Sequence, residues 1–544
     1  MHYRIAFKKK IQRLQEMPNI ILFNGNIHIQ PPATAIALRD GKIMATGDDE
    51  TIRNLAKPYT EQIDLSGRLV LAGLTDSHFH FYNWSSKRRR VNLADVTSSD
   101  ELLQKVSRRI KTTPPFQWIK GYGWNETNLV DEHGPTELDL DHVSPVHPII
   151  LWRSDGHIAI VNSLALSRAG ITADSPDPPG GVIERDEHGR PTGVIKDNAI
   201  NLITAQIPPP SDVELEDFML LGMETLHKFG ITGIHDQRIM NGAEGAHALR
   251  MYHKLYRQGD LKLRVCTNIY QDYLPHAIAL GLHSGFGNDI LQFGFVKVFS
   301  DGSLGARTAW MHEPYLDGGL GISTMPMPEI AQVVRQARQH GWAVSIHAVG
   351  DKANHEILNI FSEFDSIPRQ VPIPDRIEHV QILRPDDIPR LAQLGLTASV
   401  QPPHVLDDMT LVDKVWGERG KYTYPFRSLL NAGTLLALGS DAPVAKENPW
   451  FGIHAAVNRR KPSGYPENGW HPEQNLSVKE SIEGYTLAAA KSIGQEKKQG
   501  SLDVGKLADV IVVDRDIFNV DPMTLADTQV LLTIFNGEVV YRDM

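Results

Sequence analysis

An apolar run, Leu71-Ala-Gly-Leu-Thr-Asp76-Ser-His78-Phe-His80, ends in two histidines one residue apart. Side chains alternate between the faces of a strand, so His78 and His80 point the same way and can present two imidazole nitrogens to one cation. Asp76 shares their parity and is expected to orient an imidazole from behind. Other segments end in groups of the same chemistry: Lys297 with Asp301-Gly302, then His347, Glu378-His379, and Asp441 before Ala442-Pro443. Imidazole and carboxylate donors of this kind suit zinc and similar divalent ions. Each residue alone has another reading. His347 reads equally as a satisfied core histidine, His379 with Glu378 as an ion pair, Asp441 as a turn or cap residue, and Lys297 as an amine paired with an acid. Their recurrence at successive strand ends is what points to one metal site.

The elements that must position these groups alternate. Candidate strands are Leu69–Thr75, Ile231–His235, Leu261–Ile269, Phe293–Phe299, Ala343–His347, Arg376–Val380, Leu396–Val400 and Thr434–Leu438, with helix-like segments such as Pro328–His340, Lys352–Phe364 and Pro385–Leu394 between them. Eight such repeats predict an α/β fold, a (β/α)8 TIM barrel with its active site at the C-terminal ends of the strands. Short strands punctuated by Asn24-Gly25, Asp40-Gly41 and Ser66-Gly67 precede the barrel, and Val510–Val513, Val530–Ile534 and Glu538–Tyr541 follow it. Both termini are therefore expected to build one small β-sandwich domain. The predicted divisions are a flexible basic extension over 1–17, the β-sandwich over 18–68 and 500–544, and the barrel over 69–499. A subdomain is inserted after strand 1 over 81–210, with strand-like pieces at Ile149–Trp152 and Gly193–Ile195; it is expected to reach over the barrel mouth as a lid.

Composition narrows the function. The chain of 544 residues has 55 Lys plus Arg against 65 Asp plus Glu, a formal charge of −10 that gives no general attraction to nucleic acid. One cysteine, Cys266, excludes an intramolecular disulfide and any cysteine-rich zinc site. No apolar run reaches the roughly 18 residues of a membrane span. Residues 1–17 lack the apolar core of a secretory signal. These features lead us to expect a cytoplasmic protein acting on a small-molecule substrate, and they allow a homodimer.

The same residues resemble the amidohydrolase superfamily, in the family 3 branch of N-substituted formamide deformylase-like hydrolases. The resemblance spans nearly the whole chain. It rests on the split β-sandwich, His78-Phe-His80, the Lys297 segment through Asp301-Gly-Ser-Leu-Gly-Ala-Arg307-Thr-Ala, Ser154-Asp-Gly-His157 with Asn162-Ser-Leu-Ala-Leu, and Gly500-Ser-Leu to Asp514. Ala72-Gly73 stands where the branch has Pro-Gly. The resemblance implies a binuclear metal centre, with zinc the expected metal: His78, His80 and Asp441 hold one ion, His347 and His379 a second, and a carboxylated Lys297 bridges them. Free lysine is protonated near neutrality, whereas its carbamate offers two oxygens and a negative charge. The implied activity is hydrolysis of a non-peptide amide or formamide carbon–nitrogen bond by metal-activated hydroxide, with Asp441 as the catalytic proton shuttle. Trp124, His157 and Arg307 lie in family-like segments and are candidates for substrate contact. Two alternatives stand beside this one. A mononuclear deaminase of the same superfamily would carry a glutamate just after the fifth-strand histidine, where this chain has His347-Ala-Val-Gly-Asp351; a non-catalytic regulatory or binding protein would have lost ligands, and none is missing.

Overall fold

The structure, a computed structural model, describes residues 18–544 apart from 89, 126–128, 131–134, 155–156, 238–243 and 245. The expected extension over 1–17 lies outside the described residues, as do Asp155 and Gly156 of the Ser154–His157 motif. The chain forms two compact units, one comprising residues up to Asn83 with Leu220–Met544, the other Trp84–Met219.

In the first unit, eight parallel strands pair in chain order: β1 (Leu74–Phe79), β2 (Ile231–Asp236), β3 (Arg264–Tyr270), β4 (Leu291–Phe299), β5 (Ala343–Ala348), β6 (Arg376–His379), β7 (Thr397–Val400) and β8 (Leu435–Leu438). Nearly every residue of these strands is buried, as expected for a parallel sheet covered on its outer face and filled on its inner one. The seam between β8 and β1 closes just beyond β8, where Phe79 bridges Ala442, His80 N donates to Ala442 O at 2.9 Å and Asp441 N to His78 O at 2.8 Å. The predicted TIM barrel is present.

Its first strand is shorter than the expected Leu69–Thr75. Leu69–Ala72 belongs to another sheet, pairing antiparallel with Val510–Val513 and parallel with Asn26–Ile27. The break falls at Gly73, where a Cβ would stand 2.2 Å from Thr232 Oγ1, so only glycine allows the chain to cross here against β2. A five-stranded sheet made of Asn26–Ile27, Leu69–Ala72, Val510–Val513, Val530–Phe535 and Glu538–Arg542 thus draws on both ends of the chain. It packs on a four-stranded sheet of Ile20–Phe23, Ala35–Arg39, Lys42–Gly47 and Glu61–Asp64 through a core that includes Leu22, Ile36, Leu38, Val70, Val510, Val512 and Ile534. Asp40 and Gly41 turn the hairpin between Ala35–Arg39 and Lys42–Gly47 with φ of 48° and 73°, the left-handed pair that an Asp-Gly turn supplies.

The second unit is built on a six-stranded sheet ordered Gly181–Arg185, Pro191–Asp197, Ile158–Val161, Ile149–Arg153, Ile119–Trp124 and Val91–Asn92. Alternating side chains feed a core on each face, Ile150 and Val161 on one, Leu151 and Ile160 on the other. Among the described residues no helix is long and apolar enough to cross a membrane.

Candidate metal centre

The six residues anticipated as ligands, His78, His80, Lys297, His347, His379 and Asp441, all line one cavity of about 510 Å3 at the C-terminal end of the barrel. His78 and His80 close β1; Lys297, His347 and His379 come from β4, β5 and β6; Asp441 follows β8. The backbone bends sharply to aim two of them. His379 and Asp441 have φ of 74° and 62°, a region that non-glycine residues occupy at a cost and that is characteristic of functional sites. Gly439 lets β1 approach, since a Cβ there would meet His78 N at 2.5 Å and Asp76 Oδ1 at 2.7 Å.

The shortest convergence is among His78, His379 and Asp441, whose ligand atoms lie within 4.8 Å of one another. His80 Nε2 stands 2.9 Å and His78 Nε2 3.3 Å from Asp441 Oδ1. The rings of His347 and His379 have centroids 4.5 Å apart, and those of His78 and His379 4.9 Å. His379 therefore lies beside members of both groups into which the family resemblance divides the expected ligands.

Hydrogen bonds behind the rings decide which nitrogens face inward. His78 Nδ1 donates to Glu378 Oε2 at 2.7 Å, His379 Nδ1 to Gln401 Oε1 at 2.8 Å, and His347 Nε2 to the Gly302 carbonyl at 3.0 Å. A neutral imidazole has one donor and one acceptor, so Nε2 of His78, Nε2 of His379 and Nδ1 of His347 are left as lone pairs toward the cavity. Burial first, and then Lys297, push His347 down to about 4; burial and the neighbouring rings of His347 and His78 keep His379 well below the ordinary value. Both are thus neutral, the state a metal requires. Burial opposes ionisation of Asp441, yet His78 and His80 hold its carboxyl well below the usual range. Burial likewise opposes a charge on His78, but Asp441 and Glu378 on either side raise its proton affinity, so this point in the fold is built to stabilise positive charge. The unprotonated nitrogens of His347 and His379 and the ionised carboxylate of Asp441, facing one cavity, fit a divalent cation.

Lys297 is buried, 1% exposed, and forms no ion pair or side-chain hydrogen bond among the described residues; its ammonium lies 5.0 Å over the Phe299 ring. Burial lowers it to about 8 against the opposing pull of Glu378 and Asp441.

Asp76 differs from expectation. It accepts the backbone N–H groups of His78 at 3.1 Å and Ser440 at 3.0 Å, and the Ser440 side chain, rather than an imidazole proton, because it lies one pleat deeper. The orienting carboxylate is Glu378. It shares a strand face with Arg376, two residues earlier, and pairs with it beneath His78. Arg376 is fully buried and also bonds Ser77 O at 2.6 Å, Ser399 Oγ at 3.1 Å and His235 Nδ1 at 3.0 Å. His404, on the helix Pro402–Trp416, is a further imidazole of the cavity wall. Its signal lay in Gln401-Pro-Pro-His404, directly after the seventh strand.

Of the three candidates for substrate contact, Arg307 lies in the unit that holds this cavity but is not among its lining residues, and Trp124 and His157 belong to the second unit. Trp124 is in the core of the second unit, its indole donating to Leu151 O at 2.9 Å, and His157 is exposed in the same unit, bonded to Asp197 at 2.9 Å. Arg307, at φ 58°, bonds Asp317 at 3.0 Å and the Leu304 carbonyl at 3.1 Å; it braces the Ser303–Gly305 loop, which does line the cavity.

A model of the amidohydrolase family matches residues 61–541. YtcJ of Bacillus subtilis (strain 168), named as an amidohydrolase, is 33% identical over 514 residues, covering 93% of this chain and 96% of that protein. The N-substituted formamide deformylase of Arthrobacter pascens is 27% identical over 557 residues, 97% of this chain and 99% of its own. A crystal structure of an uncharacterized metal-dependent hydrolase from Pyrococcus furiosus has a TM-score of 0.76 at 28% identity, over 92% of this chain and 100% of that one. With nearly all of its length matched, barrel and terminal sheets alike, the chain belongs to the amidohydrolase family.

Proposed function

We propose that this protein hydrolyses a carbon–nitrogen bond other than a peptide bond, that of an amide or formamide, with two divalent ions, zinc the expected metal, bridged by a carboxylated Lys297. The observation that carries this reading is a buried lysine without an acidic partner, open to a cavity walled by imidazoles. Paired lysines explain most buried ones, and this lysine is not paired. Lowered to about 8, its amine is available to attack carbon dioxide, lose a proton and become a carbamate.

His78, His80 and Asp441 would hold one ion and His347 and His379 the other, with the Lys297 carbamate between. Divalent ions held there supply Lewis acidity and a hydroxide nucleophile at neutral pH. The chain's own groups do the rest. Asp441 Oδ1 is the oxygen turned toward His78 Nε2 and His80 Nε2, at 3.3 and 2.9 Å, so Oδ2 is the atom that takes the proton of the attacking water and returns it to the departing nitrogen. Phe299, Leu304, Val349 and Val444 give the cavity an apolar wall for the substituent on that nitrogen. The deformylase named above, which acts on N-substituted formamides, supports this substrate class.

The compact group of His78, His379 and Asp441 favours a second reading, a single ion and a mononuclear reaction such as deamination. Metal analysis with intact-mass measurement on freshly purified protein separates the two. Two ions per chain and an added carbon dioxide on Lys297, with release of amine from N-formyl or N-acyl amines, is the expected result. One ion with unmodified Lys297 selects the mononuclear reading; no ion overturns a metal-dependent reaction, and no cleavage across amides overturns the amide reading. Lys297→Met is expected to lose the second ion and about two to four orders of magnitude of turnover, the range over which a positioned ligand or catalytic group acts.

A further inference from the structure

We propose that His404 is a catalytic residue: it donates a hydrogen bond to the oxygen of the scissile carbonyl as that oxygen gains negative charge. The inference rests on the amide-hydrolase reading above. His404 stands on the first turn of Pro402–Trp416, in the wall of the cavity that holds the candidate ligands. Its ring is parallel to that of His379, 10° between planes and 6.1 Å between centroids. Its Nε2 is buried without a hydrogen-bond partner. The nearest carboxylate atom, Asp441 Oδ2, is 3.6 Å away, beyond hydrogen-bond reach. Buried polar atoms are nearly always satisfied, and one that is not points to a partner that arrives with a ligand.

Neighbouring polar groups of the wall are already engaged. Gln381 Nε2 donates to Asp408 at 3.0 Å, Tyr424 donates to the same carboxylate, and Ser303 Oγ accepts from Ala306 N. Among the described residues, His404 Nε2 is left without a partner there; the other unpartnered imidazole nitrogen of the wall, His80 Nδ1, belongs to a candidate ligand. His404 also lies outside the compact ligand group. Asp441 Oδ2 is the atom assigned to the proton of the attacking water, so a carbonyl attacked beside it comes within reach of His404 Nε2. A preorganised donor aimed at the developing oxyanion acts mainly on the transition state.

The test compares His404→Phe, which keeps a flat ring without a donor, with His404→Gln, which keeps an N–H donor. The substrate is an N-formyl amine cleaved by the wild type. A phosphonamidate of the same amine mimics the tetrahedral anion, and its binding is followed by calorimetry alongside that of the free amine. His404→Phe is expected to lower kcat about 100-fold with little change in KM, the loss seen when one oxyanion donor is removed. Its phosphonamidate affinity falls in step, while amine affinity and metal content stay at wild-type values, and His404→Gln retains more of both than His404→Phe. Loss of metal in His404→Phe would make the residue a ligand and overturn the proposal. So would a fall in kcat with phosphonamidate affinity unchanged, which would place its action on Asp441, or an unchanged kcat. A wild type that neither cleaves the amide nor binds the phosphonamidate removes the amide reading, and this inference with it.

Discussion

The chemistry of single residues here depends on groups that never touch the cavity. Glu378 is fully buried, and burial alone would keep it protonated; the guanidinium of Arg376 and the ring of His78 hold it far below the usual carboxylate range. Its charge fixes His78 with Nδ1 as donor and Nε2 as lone pair. Glu378→Gln is therefore expected to weaken metal binding by about 10- to 100-fold, measured by competition with a chelator at a temperature where the variant remains folded. Apparent Tm falls as well, because Arg376 loses its counter-charge in a fully buried position. Metal affinity equal to wild type would show that His78 is oriented by something else. Much of this site was legible in the sequence: strand parity gave His78 and His80 one face, and strand ends supplied His347, His379 and Asp441. Glu378 was visible only as the ion-pair partner in the alternative reading of His379, because adjacency in sequence suggests that pair whereas its i−2 spacing puts it on one face with Arg376. Three hundred residues separate Glu378 from His78, and no local spacing encodes that pairing.

At the scale of elements, the helices flanking β8 show how the C-terminal side of the barrel is held in register. Phe426–Asn431 precedes β8 and Val478–Gly484 follows later in the chain; Arg427 on the first bonds both oxygens of Glu480 on the second at 2.6 Å. Glu480 also completes a capping box with Ser477. Its hydrogen bonds with Arg427, outweighing partial burial, lower its carboxyl from 4.5 to about 2. A carboxyl depressed on folding stabilises the fold above its unfolded value, and that contribution is lost as pH falls from 4.5 toward 2. Glu480→Gln preserves the capping geometry and removes the charge, so it should unfold at lower denaturant than wild type at pH 7. The gap should close as the pH is taken below 4.5; a gap independent of pH would assign the loss to packing. Element boundaries were less legible than element types. Leu69–Thr75 is one continuous apolar run, and its transfer between two sheets at Gly73 depends on the proximity of Thr232, more than a hundred residues away. Trp124, similarly, sits in a family-like segment, and spacing alone gave no sign that its ring joins the core of the second unit.

For the first unit as a whole, chemistry and stability occupy opposite ends of the barrel. The candidate ligands sit where the strands finish, whereas the sheet shared by both termini attaches where the strands begin. Asp509 is the knot of that attachment. Its carboxylate accepts from the Arg264 guanidinium at the start of β3, 2.9 Å for the Nη2 bond, and from Asn536 N at 2.9 Å; its carbonyl accepts from Gly73 N, just before β1. Arg264 and Asp509 are both nearly buried, 6% and 7% exposed. Asp509→Ala leaves the guanidinium without a counter-charge, a change that costs about 3–5 kcal/mol at comparable buried pairs. Because the knot lies at the far end from the cavity, the loss should appear as a lower apparent Tm with metal content and kcat per folded molecule unchanged well below that temperature. Replacing both partners, Arg264→Met with Asp509→Leu, removes the orphaned charge and should recover most of the Tm. An Asp509→Ala protein that melts with wild type would mean that the terminal sheet is held to the barrel by apolar packing alone, while one that loses metal at low temperature would mean that strain at the base of the barrel reaches its mouth.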